Sequence, residues 1–164
     1  MAITYEPIAT TTLGSAQSSV TFSSISGSYT DIILVINAKA NTGTANIVWE
    51  VNSDTGTNYS YTYVNAEPGG VTASGRASST ASPYLNFYGY LDTTWGNWIA
   101  HFMNYSNTTT YKSVLARFNN SNNGTGANVG LWRSTSAITQ IKIKTSANNF
   151  DTGSTFTLYG IKAA

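Results

Sequence analysis

Residues 30–38, TDIILVINA, are the stretch of sequence that most strongly indicates the fold. Apolar side chains recur at every second position, which is the period of a β-strand and not of a helix. They fall on two faces, with Ile32, Leu34, Ile36 and Ala38 on one and Ile33 and Val35 on the other. Because both faces are mostly apolar, we expect a central strand that is buried on each side.

The same kind of segment recurs along the whole chain. Runs of β-branched and aromatic residues are separated by turns rich in Gly, Asn, Ser and Thr, as in sandwiches and barrels. Besides residues 30–38, we expect strands near residues 9–22, 47–52, 59–64, 84–91, 97–105, 111–119, 129–133, 138–145 and 155–161. About ten strands without helices predict an all-β fold, a two-sheet antiparallel β-sandwich that is jelly-roll-like.

The connections between these runs complete the expected domain. Residues 40–44 are expected to close a hairpin between the strands at 30–38 and 47–52, with Ile47, Trp49 and Val51 facing inward and Val48, Glu50 and Asn52 outward. The segments 71–83 and 119–128 are read as a long loop and a polar turn. We expect residues 1–19 to be an N-terminal arm or first strand, and residues 20–164 to be one β-sandwich domain.

The composition excludes several classes of protein. Only 9% of the residues are charged and the net charge is +1, so the chain has no basic patch for nucleic acid. Lys142 and Lys144 are the nearest basic neighbours, and their spacing predicts the solvent face of a strand. The sequence has no cysteine, no membrane-length apolar run and no basic, apolar leader at its start. We therefore expect a soluble protein made in a cytoplasm.

The titratable residues do not predict catalysis. His101 is the only histidine, and its place in a strand predicts a partly buried, hydrogen-bonded side chain. The carboxylates are spread over different elements, although Glu50 with Asp92, or Asp54 with Asp151, could meet in space. Residues 54–58 (DTGTN) resemble a calcium loop weakly but favour a turn with a positive φ at Gly56. We expect no enzyme activity, catalytic residue, metal or cofactor.

Aromatic residues are the best candidates for contacts with another molecule. Tyr59, Tyr61 and Tyr63 lie on one face of a predicted strand, and Trp95 and Trp98 flank a Gly-Asn pair. These rings could stack on a sugar of a glycan. Alternatively, Trp98 fills the core and the tyrosines pack against a partner subunit, since interfaces are rich in Tyr and Trp. We favour packing or an interface.

Four segments resemble the virion structural proteins of tailed bacteriophages: 20–25 (VTFSSI), 29–35 (YTDIILV), 51–61 (VNSDTGTNYSY) and 153–161 (GSTFTLYGI), the last matching a closing F-x-L-Y-G-I strand. The resemblance implies a β-sandwich module, commonly trimeric, on capsids or in tail appendages, without catalytic residues. In tail fibres such a domain follows a long shaft, whereas here it starts almost at Met1.

We therefore expect a non-enzymatic capsid decoration or cement protein that forms a homotrimer and bridges the major capsid protein or other virion proteins. Residues 2–19 would then form an arm that orders on docking. The alternative is a tail-fibre or receptor-binding head that recognises host glycans through Trp95, Trp98 or residues 71–83. Either would be located in the virion and made in the host cytoplasm.

Overall fold

The computed structural model describes residues 4–81, 83–86 and 90–162, and this part of the chain is all-β. It contains eleven strands: β1 (Tyr5–Thr12), β2 (Ser19–Phe22), β3 (Asp31–Ala38), β4 (Ile47–Val51), β5 (Tyr59–Ala66), β6 (Thr72–Thr80), β7 (Gly96–Met103), β8 (Lys112–Asn120), β9 (Gly124–Trp132), β10 (Ile141–Thr145) and β11 (Thr155–Ile161). None of the described residues belongs to a helix that could cross a membrane.

The strands form two antiparallel sheets of unequal size. The larger has eight strands in the order β1-β11-β3-β7-β8-β9-β5-β6, and the smaller has three in the order β2-β10-β4. Apolar side chains from both sheets form one buried cluster. The expected two-sheet antiparallel β-sandwich is confirmed, whereas the jelly-roll arrangement is not.

The contact between the sheets is centred on Trp49 of β4. Its ring packs edge-on against Tyr59 of β5 and Phe102 of β7, with ring centroids 5.2 and 5.8 Å apart. Gly130 of β9 lies beneath the same ring, and a Cβ placed there would be only 2.7 Å from Cζ2 of Trp49. The absence of a side chain at Gly130 lets the indole approach the large sheet.

Strand β3 is confirmed, but its burial differs from the expectation. Ile32, Leu34 and Ile36 have no exposed surface. The residues between them are only half-buried, so the expected burial on each side is wrong. The three-stranded sheet covers one face of the large sheet, and the other face of β3 is left to solvent or to a partner.

The predicted hairpin between β3 and β4 is wrong, because these strands lie in different sheets. The chain crosses between the sheets after β3, where Ala40 bridges to Phe150 and Ala45 bridges to Leu91. Val48 and Glu50 point away from the core residues Ile47, Trp49 and Val51, as predicted, but both are buried and not exposed.

A neighbouring segment covers the free edge of β4. Val48 bridges to Tyr84, the Trp49 amide donates to the Pro83 carbonyl, and the Leu85 amide donates to the Ile47 carbonyl. Alternation of residue types cannot reveal such a cover, because it is supplied by a segment more than thirty residues further along the chain.

Three other segments differ from the predictions. Residues 71–83 are not a loop, since β6 runs along β5 through most of them. The predicted turn at 119–128 is shorter, because β9 already begins at Gly124. Residues 84–86, 90 and 91 contain only the isolated bridges of Tyr84 and Leu91 and no strand, and residues 87–89 lie outside the described part.

The N-terminal segment contributes a strand to the large sheet. Within the predicted arm or first strand, β1 pairs with β11 from Tyr5 to Thr12, with a bulge after Pro7. Residues 1–3 lie outside the described residues.

Candidate functional site

The candidate site is the outer face of the eight-stranded sheet, which the small sheet does not cover. Because strands alternate, every second residue of β3, β7, β8 and β9 points to this face. The strand register aligns Val35, Ile99, Arg117 and Ala127 in one row across these four strands. Arg117 of β8 therefore lies near the middle of an open sheet face.

A ladder of asparagines borders Arg117 on one side. Asn37, Asn97 and Asn119 are in register on β3, β7 and β8, and Thr125 of β9 continues the row. Nδ2 of Asn37 donates to Oδ1 of Asn97 at 2.9 Å, and Nδ2 of Asn97 points to Oδ1 of Asn119 at 3.5 Å. Because Oδ1 of Asn97 accepts from Asn37, Nδ2 of Asn97 is directed toward Asn119. The ladder therefore fixes the orientation of the three amides.

The row on the other side of Arg117 contains His101. Its Nε2 lies 3.0 Å from Oδ2 of Asp31, and Oδ1 of Asp31 accepts from the Asn104 amide at 2.6 Å. The prediction of a partly buried, hydrogen-bonded histidine is confirmed, but the sequence did not identify Asp31 as its partner. Among the described residues no hydroxyl is hydrogen-bonded to the imidazole, so no serine–histidine–aspartate triad is formed.

Arg117 joins two shallow depressions on this face. One is lined by Asn97, Ile99, Arg117, Phe118, Asn119 and Thr125, and the other by Tyr5, Ile33, Ile99, His101, Leu115 and Arg117. The Arg117 side chain is exposed, and no carboxylate of the described residues lies within 4.0 Å of it. The sheet thus presents a cation that has no counterion in the described part of the chain and is set among amides and apolar side chains.

The aromatic residues predicted from sequence lie mostly inside the sandwich. Tyr59 and Trp98 have no exposed surface, and Tyr61 and Tyr63 are also buried. Contact of Tyr59 and Trp98 with a glycan or a partner is therefore a wrong prediction, and the alternative that Trp98 fills the core is confirmed. The tyrosines share a face as predicted, but this face is the inner one.

Trp95 is the one exposed member of the predicted set, with 44% of its surface accessible. Nζ of Lys39 lies 5.4 Å from the centre of its ring, and the same amine pairs with Asp151 at 3.1 Å. Trp95 thus stands at one end of the sandwich beside a single ion pair.

The carboxylates that could have formed acid–base pairs have other partners. Glu50 is buried and accepts from Lys144 Nζ at 2.8 Å, so this lysine contacts a counterion on the strand face where it was predicted. Asp54 accepts from Nε1 of Trp132 at 2.7 Å. The described residues contain no group of three or more metal-ligating side chains.

The turn at Asp54 forms, but without the predicted glycine conformation. Oδ1 of Asp54 accepts from the Gly56 amide at 2.8 Å, as expected of a side chain that caps its own turn. Gly56 is not among the residues with positive φ, so that detail is wrong. Burial acts to raise the pKa of Asp54, but hydrogen bonds from Trp132, Asn58 and Gly56 outweigh it and hold the pKa below its ordinary value.

Asp92 is held in a cage of neutral donors. Its Oδ1 accepts from the Thr94 amide and from Asn120 at 2.7 and 3.0 Å, and its Oδ2 accepts from Asn122 and Asn123 at 2.8 and 2.7 Å. Burial acts to raise the pKa of Asp92, but these four hydrogen bonds outweigh it and lower the pKa. The carboxylate is occupied in fixing the turn between β8 and β9, and its geometry is structural.

Comparison with known proteins gives no family. No family model matches the chain, and no curated protein matches it. Among solved structures, alginate lyase Aly36B is 8% identical, with a TM-score of 0.37 over 93% of this chain and 77% of the lyase. The marine PL-14 alginate lyase from Aplysia kurodai is 9% identical, with a TM-score of 0.34 over 84% of this chain and 70% of the lyase.

The heptameric SAP-like pentraxin from Limulus polyphemus is 6% identical, with a TM-score of 0.26 over 92% of this chain and 87% of the pentraxin. Similarities at this level say nothing about the activity or ligand of this chain.

Proposed function

We propose that this chain is a non-enzymatic structural protein of a bacteriophage virion, a decoration or cement protein that assembles with copies of itself and with neighbouring shell proteins. The observation that carries the proposal is the edge of the large sheet at β6, along which no other strand of the described residues pairs. An exposed edge strand offers a row of backbone N–H and C=O groups with which another chain can pair.

The four sheet edges differ in how well they are protected. The β1 edge contains Pro7, which has no N–H to donate, and a bulge next to it. The β2 strand has only four residues, and β4 is covered by the segment around Pro83. Strand β6 has nine residues, TASGRASST, which are small apart from Arg76. An irregularity interrupts its pairing with β5 between Ala77 and Thr80, so residues 72–77 are the regular part of this edge. It is the longest of the four edges.

An apolar surface adjoins this edge. Val64 of β5 and Val71, just before β6, are 56% and 57% exposed. Together with Ala66, Thr72 and Ala127, Val64 lines a shallow and mostly apolar depression. Apolar area beside an open edge supports association through backbone pairing and burial, as the low charge of the chain also favours.

The occupied carboxylates support the non-enzymatic part of the proposal. Asp54 and Asp92 accept hydrogen bonds on both oxygens, and Glu50 and Asp151 are paired with lysines. A general acid or base needs a free oxygen within reach of a substrate.

The proposal is tested by measuring the mass of the purified chain in solution over a range of concentrations. We expect oligomers, which S74K in the regularly paired part of β6 should dissociate because a lysine at an edge blocks strand pairing. S136K, a similar change at an exposed serine outside the strands, should leave the mass unchanged. A parent chain that stays monomeric at all concentrations would refute assembly through β6.

The virion role needs a second measurement on particles. Particles that lack this protein should release their genome at a lower temperature than complete particles, and adding the purified chain should restore the release temperature. Equal release temperatures with and without the chain would contradict the cement role.

A receptor-binding head is the second candidate, and exposed Trp95 favours it. An indole of which nearly half is exposed, beside the Lys39–Asp151 pair, offers a stacking surface with polar groups around it. Binding to a glycan array that is lost in W95A would favour this candidate over the structural one.

A further inference from the structure

We propose that the outer face of the large sheet holds a binding site for a saccharide that carries a carboxylate, with Arg117 as the residue that binds the carboxylate. The proposal does not depend on assembly through β6, because Arg117 lies on the sheet face and not at its edge. It rests on the position of Arg117 between the asparagine ladder and the row of His101.

The guanidinium of Arg117 is suited to a carboxylate. It is exposed and has no carboxylate partner among the described residues. Its planar fork of N–H groups matches the two oxygens of a carboxylate, and such paired hydrogen bonds are stronger than neutral ones. An exposed arginine without a carboxylate partner among the described residues therefore selects an anionic ligand.

No carboxylate on this part of the sheet opposes an anionic ligand. Asp31 is the only acidic residue in β3, β7, β8 and β9. Its two oxygens are engaged by His101 and by the Asn104 amide. The field at the surface between the two rows is therefore set by Arg117, and an approaching carboxylate is attracted to it.

The ladder supplies the groups that a sugar requires. Asn97 and Asn119 are exposed and line the same depression as Arg117. Nδ2 of Asn119 makes no hydrogen bond within the described part of the chain, so it can donate to a hydroxyl. Amides both donate and accept, as hydroxyl groups also do, so these side chains suit a polyol better than a purely anionic group.

Apolar surface for the sugar rings lies beside Arg117 and on its side away from the ladder. Ile99 lines both depressions, and Tyr5 stands at the rim of the second with 56% of its surface exposed. The C–H faces of a sugar pack on such aromatic and aliphatic groups. From Asn97 to His101 the strand advances by four residues, about 13 Å, which accommodates two or three sugar rings.

An acidic peptide fits this surface less well. Extended peptides bind by pairing with a sheet edge, where backbone groups are available. On the sheet face the backbone of β7 and β8 is already paired on both sides, and only side chains are presented. We therefore assign the site to a saccharide.

The test is a titration of the full chain, followed by calorimetry and by protein NMR, with trigalacturonate and sialyllactose as acidic probes. Maltotriose and lactose are the neutral counterparts, and a short polyglutamate peptide represents an acidic protein segment. We expect at least one acidic saccharide to bind more tightly than its neutral counterpart, with affinity that falls as salt is added.

The variant R117Q removes the charge and should weaken binding of the acidic saccharide by about tenfold or more, as expected for a hydrogen-bonded ion pair. The matched control is R76Q, which removes the other exposed arginine of the same sheet face, on β6. R76Q should bind as the parent does. N97A should weaken both acidic and neutral saccharides, because it removes a contact to hydroxyl groups.

Three outcomes would overturn the proposal. They are the absence of binding by both acidic saccharides at millimolar concentration, equal weakening by R117Q and R76Q, and binding of polyglutamate as tight as that of the saccharides. None of them bears on the oligomer measurement, so the two proposals fail independently.

Discussion

The amide cage of Asp92 gives a quantitative prediction for stability. In D92N, one oxygen remains to accept from Thr94 and Asn120, whereas an NH₂ group replaces the oxygen that accepts from Asn122 and Asn123. Donors would then face donors at 2.8 and 2.7 Å. A hydrogen bond to a charged group is worth about 1.5–3 kcal/mol.

Loss of two such bonds sets an upper range of about 3–6 kcal/mol. Asn122 is exposed and Asn123 is half-buried, so both can rotate toward water, and we expect the lower end, about 3 kcal/mol. This corresponds to a fall in Tm on the order of 10 °C for a domain of this size. Urea unfolding monitored by tryptophan fluorescence, together with a thermal melt, measures both quantities.

The lowered pKa of Asp92 also predicts that D92N responds differently to acid than the parent chain does. Because the folded state lowers the pKa of Asp92, the ionised carboxylate stabilises the fold fully above the unfolded pKa, about 3.9. That stabilisation is lost as the pH falls through the lower, folded pKa. D92N should therefore lose less stability than the parent between pH 5 and the acid range, about pH 2.

D151N is the control for D92N, because Asp151 is partly exposed and bonded mainly to one lysine. It should change stability much less. A D92N variant within about 0.5 kcal/mol of the parent, or one with an unchanged acid profile, would refute the structural role assigned to the cage.

Other changes can be measured by the same urea titrations. G130A should cost about 1–3 kcal/mol because its methyl group would overlap the core tryptophan of β4, whereas G14A, with nothing within 4 Å, should be tolerated. K144M should destabilise the fold by about 2 kcal/mol because it leaves a buried glutamate unpaired, and K142M should not. Burial raises the pKa of Tyr61 to about 12, so stability should be complete below the unfolded pKa of about 10 and fall as the pH rises toward 12, less so in Y61F. If a variant and its control behaved alike, the contact that this pair tests would be contradicted.

The strands that the sequence predicted well are those with strong apolar alternation. Strand β11 has the predicted bounds, β3 begins one residue later than predicted, and β8 is shifted by one residue at both ends. Strand β6 was missed because its Ser, Ala and Gly residues carry no apolar period. Its pairing is decided by the tyrosine-rich strand β5 beside it, and a single-sequence pattern does not contain that information.

The candidate site was beyond prediction for a related reason. Asn37, Asn97 and Asn119 are unremarkable in sequence, and they meet only because β3, β7 and β8 are neighbours in one register. Alternation correctly put Tyr59, Tyr61 and Tyr63 on one face. It could not say which face is inner, because tyrosine suits both a core and a surface.

The position of β11 between β1 and β3 has a consequence for synthesis on the ribosome. Strand β1 pairs only with β11, and one side of β3 also pairs with β11. Both therefore stay open until residues 155–161 have been made. Sheet formation from such distant segments is slow and leaves apolar strands exposed for as long as translation lasts. Completion of the larger sheet therefore depends on β11, and a product truncated before that strand would be prone to aggregate.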